Sequence, residues 1–126
     1  MQRMGIFLAF AILLAGCGPG SGSIEVSGTV VAGPVCPVQR QPPDPACADR
    51  AVPGATLLVQ DASGAEVQRV TSDAGGRFTL RLRAGSFRIV PQPISSMPGA
   101  PPPVEFSVRP GEVPKPITIT YDTGIR

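Results

Sequence analysis

The sequence predicts an all-β fold, a small sandwich of seven antiparallel strands. Three observations carry it. Apolar and polar residues alternate over short stretches, clusters of Gly, Pro, Asp and Ser separate those stretches, and no segment shows a convincing helical period. Proline (16) and glycine (15) in a chain of 126 residues favour turns over long helices.

The strands follow in order. Ile24 to Val30 alternates from the start, and Ala55 to Gln60 is the next such stretch. Asp61-Ala62-Ser63-Gly64 is a turn cluster leading into Glu66 to Thr71. Asp73-Ala74-Gly75-Gly76 turns the chain again. Arg77 to Leu82 alternates strictly, so Phe78, Leu80 and Leu82 share one face. Ala84-Gly85 leads into Ser86 to Val90. A proline-rich stretch, Pro91 to Pro103, is expected to be a surface crossover, because proline cannot donate to a central ladder. Val104 to Val108 and Ile117 to Tyr121 complete the seven.

Four pieces of this pattern carry a resemblance: Gly28-Thr29-Val30, Ala51 to Leu57, Thr71 to Phe78, and Leu82 to Phe87. Together they resemble the carboxypeptidase regulatory-like domain, over about Glu25 to Tyr121. The core of the signature is D-x-x-G-x-F followed by L-x-x-G-x-F, a pattern shared with Cna-B-type and other Ig-like modules. The resemblance implies a prealbumin-like, seven-stranded sandwich. Physical reasons support each piece. Asp73 can accept backbone N–H groups across its turn, Gly75 or Gly76 supplies a positive φ, and Phe78 and Phe87 anchor the core. The segment between Val30 and Ala51 is longer than the hairpin usual in such domains.

Ahead of the domain lies a different composition. Arg3 precedes an apolar run of about ten residues, Gly5 to Leu14, which is too short to span a bilayer and suits a signal peptide. The run ends in Leu14-Ala15-Gly16-Cys17, which resembles the bacterial lipobox. The resemblance implies diacylglyceryl transfer to the Cys17 thiol, cleavage after Gly16 and acylation of the new amine, which together give durable anchoring. The expected organisation is a signal peptide over 1–16, a lipidated Cys17 with a flexible Gly/Ser tether over 17–23, and one domain over 24–126.

An exported chain meets an oxidising compartment, so the two remaining cysteines, Cys36 and Cys47, are expected to form a disulfide. The loop it closes is worth roughly 3 kcal/mol in the chain-entropy model. Two thiols without a histidine make a poor metal site. Residues Pro34 to Arg50 combine the bridge with prolines and charged side chains (Arg40, Asp44, Asp49, Arg50). Such a pre-ordered loop either carries binding specificity or seals one end of a small core.

Composition narrows the chemistry. The chain has no histidine, which removes Ser-His and Cys-His nucleophilic sites. Hydrolases of the transthyretin fold that act on 5-hydroxyisourate need histidines too. A Lys–Asn isopeptide bond, known in Cna-B-type domains, needs an Asn that this sequence lacks, and Lys115, the one lysine, comes late in the chain. Asp61 and Asp73 read as solvated turn carboxylates rather than as calcium ligands. No cofactor or metal is implied. The net charge of +2 gives no argument for nucleic acid.

Arg77, Arg81 and Arg83 share an outward parity, and Arg88 follows on the next strand. If those strands paired as a hairpin, the four would form a basic patch able to meet anionic headgroups or acidic polymers. The alternative is an ordinary solvated sheet face. The reading as a whole is a non-enzymatic interaction or structural module, anchored by its lipid to the extracytoplasmic face of a bacterial envelope membrane. Two other readings stand beside it: an accessory subunit of an envelope transport or secretion complex, and an envelope enzyme with an unfamiliar site.

Overall fold

Strand β1, Ile24–Gly33, runs through the centre of the first sheet, with Val26, Val30 and Ala32 facing inward. The computed structural model describes residues 22–38 and 41–125. The leader and Cys17 therefore lie outside the described residues. After β1 come β2 (Arg50–Ala51), β3 (Thr56–Asp61), β4 (Glu66–Thr71), β5 (Arg77–Leu82), β6 (Gly85–Pro91), β7 (Val104–Val108) and β8 (Ile117–Asp122). All seven expected strands are present, and the two-residue β2 is an addition. A single 3-10 turn, Pro45–Cys47, interrupts the loop before β2.

The strands form two sheets. In the first, β5 and β2 pair antiparallel with successive parts of one edge of β1, and β8 pairs with its other edge. In the second the order is β4-β3-β6-β7, all antiparallel. The β1–β8 pair is parallel, an arrangement that the alternation could not reveal. Its cause is the path of the chain. Strand β7 returns to the end where β1 begins, so β8 sets out from there in the same direction as β1.

The core lies between the inner faces. Leu80, Ile119 and Tyr121 from the first sheet meet Leu57, Val59 and Ile89 from the second, all essentially without exposure. Each such side chain contributes roughly 1.5–3 kcal/mol. Phe78 sits directly opposite Gly28 in the β1–β5 pair, and its ring covers the space where a larger residue at 28 would put its side chain. Gln68 of β4 accepts the Arg81 N–H at 3.2 Å, linking the two sheets along one seam.

The turns use the chemistry read from the sequence. One Asp73 carboxylate oxygen accepts the N–H groups of Gly75 and Arg77, both at 2.9 Å. Gly76, rather than Gly75, takes the positive φ, at 74°. Proline placement differs from expectation at one point. Pro91 is the last residue of β6 and is buried, paired with Leu57, rather than lying in the crossover. Register explains this. The neighbouring Gln92 N–H bonds to β3, so position 91 turns its nitrogen toward the β7 side. There β7 reaches only as far as Ile89, and a missing N–H breaks no ladder.

Candidate functional site

Strand directions sort the loops into two groups. The N-terminal residues 22–23, the β3–β4 and β5–β6 turns and the β7–β8 loop lie at one end of the sandwich. The loop after β1, the β4–β5 turn, the β6–β7 crossover and the C-terminal tail lie at the other. The two ends are about 30 Å apart, judged from the ten residues of β1 at about 3.3 Å each.

The expected disulfide is present at the far end. Cys36 and Cys47 are joined with their Cα atoms 5.2 Å apart. The Asp44 carboxylate caps the 3-10 turn by accepting the Ala46 N–H at 2.9 Å. None of the residues in that turn is buried, and Val38 of the same loop is 68% exposed.

The four arginines are not brought together. The chain crosses from one sheet to the other between β5 and β6, so these strands do not pair as a hairpin. Arg77 and Arg81 project from the outer face of the first sheet, and Arg81 pairs with Glu25 at 3.5 Å. Arg83 lies exposed just past the end of β5. Arg88 is on the outer face of the second sheet, where its guanidinium meets Glu105 at 2.9 Å. The local signal Ala84-Gly85 marks a turn, but a turn signal does not say whether the chain stays in its sheet.

The turn carboxylates are also separated. Asp73 is at the far end, whereas Asp61 is in the β3–β4 turn, at the end of the sandwich where β1 begins. The Ser63 hydroxyl, and after it the N–H groups of Ala65, Ser63 and Gly64, hold the Asp61 pKa below its ordinary value. That contribution to the turn is present above the unfolded carboxyl pKa and is lost as the pH falls through the folded one. Lys115 is exposed in the loop ahead of β8, at the same end as Asp61. No group of three or more potential metal ligands converges among the described residues.

One feature escaped the sequence reading. The far end of the sandwich is open, with a mouth of about 670 Å³. Core residues Ala32 and Val52 form its floor, and Val35, Ile94, Met97 and Ile125 line it further out. Arg50 lies at its rim. Opposite Ala32 in the β1–β2 pair, Arg50 shares that residue's inward face. These residues come from the stapled loop, β2, the crossover and the tail, so no local pattern could have assembled them.

No family model and no curated protein matches the chain. Solved structures do. GBS52, the minor pilin of Streptococcus agalactiae, matches with a TM-score of 0.59 at 10% identity, over 80% of this chain and 44% of its own. The TIE protein of Bacillus anthracis matches with a TM-score of 0.57 at 12% identity, over 79% and 17%. BcpA, the major pilin subunit of Bacillus cereus, matches with a TM-score of 0.55 at 12% identity, over 82% and 31%. This chain thus spans less than half the length of each. Likeness at such identities is one of fold: a two-sheet, Ig-like sandwich of the kind found as a module in bacterial pilins.

Proposed function

We propose that this chain is an extracytoplasmic β-sandwich module, tethered to a bacterial envelope membrane through lipid on Cys17, that acts by binding rather than by catalysis. The observation that carries the reading is Leu14-Ala15-Gly16-Cys17 closing a short apolar run, followed at once by a Gly/Ser tether and then by β1. Among the similar structures are a minor and a major bacterial pilin, in each of which a sandwich of this kind makes up part of the chain. The finer assignment to the carboxypeptidase regulatory-like family rests on the two turn motifs ending in Phe78 and Phe87.

In this reading the tether end faces the membrane. It carries Arg83, Arg109 and Lys115 mixed with Asp61 and Glu112, so any attraction to anionic lipid is modest beside that of the acyl chains. The stapled loop and the open mouth then point away from the membrane, toward partners.

Metabolic labelling with a radiolabelled fatty acid tests the tether. The wild type should incorporate label and partition into detergent, and Cys17→Ser should do neither. A wild-type protein recovered in the soluble fraction with an unmodified N-terminus would refute it.

A further inference from the structure

The mouth at the far end has the chemistry of a ligand site. Its volume of about 670 Å³ falls within the range of roughly 300–1,000 Å³ usual for such sites. Its lining is mostly aliphatic, with Ser96 and Thr123 as polar members and Arg50, itself exposed, at the rim on the side it shares with Ala32. Arg50 forms no ion pair among the described residues. The described carboxylates nearby are directed elsewhere. Asp49 lies over Gly33 on the outer face of the sheet, and Asp44 is bound to the Ala46 N–H. Asp122 has the outward parity of β8 and accepts the Gly124 N–H at 2.9 Å. The Thr123 hydroxyl is also committed, donating to the Pro34 carbonyl at 2.6 Å. Among the described residues, then, an arginine without an ion pair stands at the rim of a mostly apolar pocket.

The floor of that pocket is the core itself. An open apolar mouth with one cation at its rim matches an apolar group that carries a carboxylate, as the last residue of a peptide does. We propose that the mouth binds the carboxy-terminal end of an extended peptide, with the last apolar side chain against Val35, Ile94, Met97 and Ile125 and the terminal carboxylate on the Arg50 guanidinium. The planar fork of arginine matches a carboxylate through two parallel hydrogen bonds. This inference rests on the reading of the protein as a binding module and names the chemistry of its partner.

The test is an NMR titration of the mature chain carrying Cys17→Ser, with the Cys36–Cys47 bridge intact. Three probes are compared: acetyl-Ala-Ala-Val-Leu with a free carboxylate, the same peptide as its C-terminal amide, and decanoate. The free acid should shift the amide signals of Arg50 to Val52, Ile94 to Met97 and Thr123 to Ile125, with a Kd of about 1 mM or tighter. The C-terminal amide should bind at least about tenfold more weakly, and so should the free acid to Arg50→Gln. Arg50→Lys should recover part of the loss. The proposal is overturned if the free acid leaves those signals unmoved, if acid and amide bind alike, or if decanoate binds there more tightly than the peptide. Hydrolysis of the peptide during the titration would instead sink the non-catalytic reading while leaving the site in place.

Discussion

Tyr121 donates its hydroxyl hydrogen to the backbone carbonyl of Gln92 at 2.6 Å. The bond joins β8 of the first sheet to the first residue beyond β6 in the second. Tyr121 is fully buried, and just past Gln92 the crossover supplies Ile94 and Met97 to the mouth. One hydroxyl thus holds the two layers together where the sandwich opens.

Tyr121→Phe should keep the packing and lose the bond, lowering stability by about 1 kcal/mol in a chemical denaturation series. The same side chain gives a pH signature. Burial raises the Tyr121 pKa above the ordinary value of about 10. The unfolded chain then ionises first, so the stabilisation is whole below pH 10 and is lost as the pH rises through the folded pKa. Tm measured between neutral pH and pH 11 should fall more steeply in the wild type than in Tyr121→Phe. Parallel curves would show that the tyrosine does not govern the alkaline limb.

Among the described residues Ser72 is the one buried side chain of Ser, Thr, amide or charged type, and its hydroxyl makes two bonds in the core region. It donates to the Val52 carbonyl at 2.6 Å and accepts the Ala55 N–H at 2.8 Å. Ser72→Ala leaves both groups without that partner beneath the surface. The expected cost is about 2 kcal/mol, or roughly 10 °C in Tm for a domain of this size. A fall of only a degree or two would mean that water replaces the hydroxyl.

The contrast between these sites and the arginines shows what the sequence could disclose. Alternation exposed strands such as β1, β3 and β5 because each buries one face, and Asp73 and Gly76 were legible because their turn chemistry is local. The disulfide followed from the predicted compartment. Pairing partners were not legible. Nothing near Ala84 says that the chain leaves one sheet for the other, and nothing near Ile117 says that β8 will lie parallel to β1. The mouth was hidden for the same reason, since Val35, Arg50, Ile94 and Ile125 meet only after the sheets have closed.

Gly28 offers a test of that closure. A Cβ there would strike the Phe78 ring and come within 2.6 Å of the Ile117 carbonyl oxygen. The ring could rotate, but the backbone oxygen belongs to β8 and cannot yield without disturbing the parallel pair. Gly28→Ala should therefore cost about 1–3 kcal/mol, the range for overpacked cores. Gly54→Ala serves as a control, because a Cβ there meets nothing and only the positive φ of 73° is strained. If Gly28→Ala is the milder of the two, the Phe78–Gly28–Ile117 packing does not limit the fold.

The last prediction separates the two roles of the stapled loop. The loop body is exposed through most of its described length, while its ends enter β1 and β2 and help frame the mouth. If the loop serves for presentation, its interior contributes little to stability and the bridge contributes chiefly by restricting the unfolded chain. Two variants distinguish this from sealing of the core. Cys36→Ser with Cys47→Ser should lower stability by roughly 3 kcal/mol, as the closure of a loop of this length suggests. Replacing 37–46 by a Gly/Ser linker of equal length, with both cysteines kept, should shift Tm by only a few degrees, because the described residues among them are exposed. A comparable loss in both variants would show that the loop body caps the core. Near-equality of the linker variant with the wild type leaves the loop free to vary, as a surface selected for its partner must be.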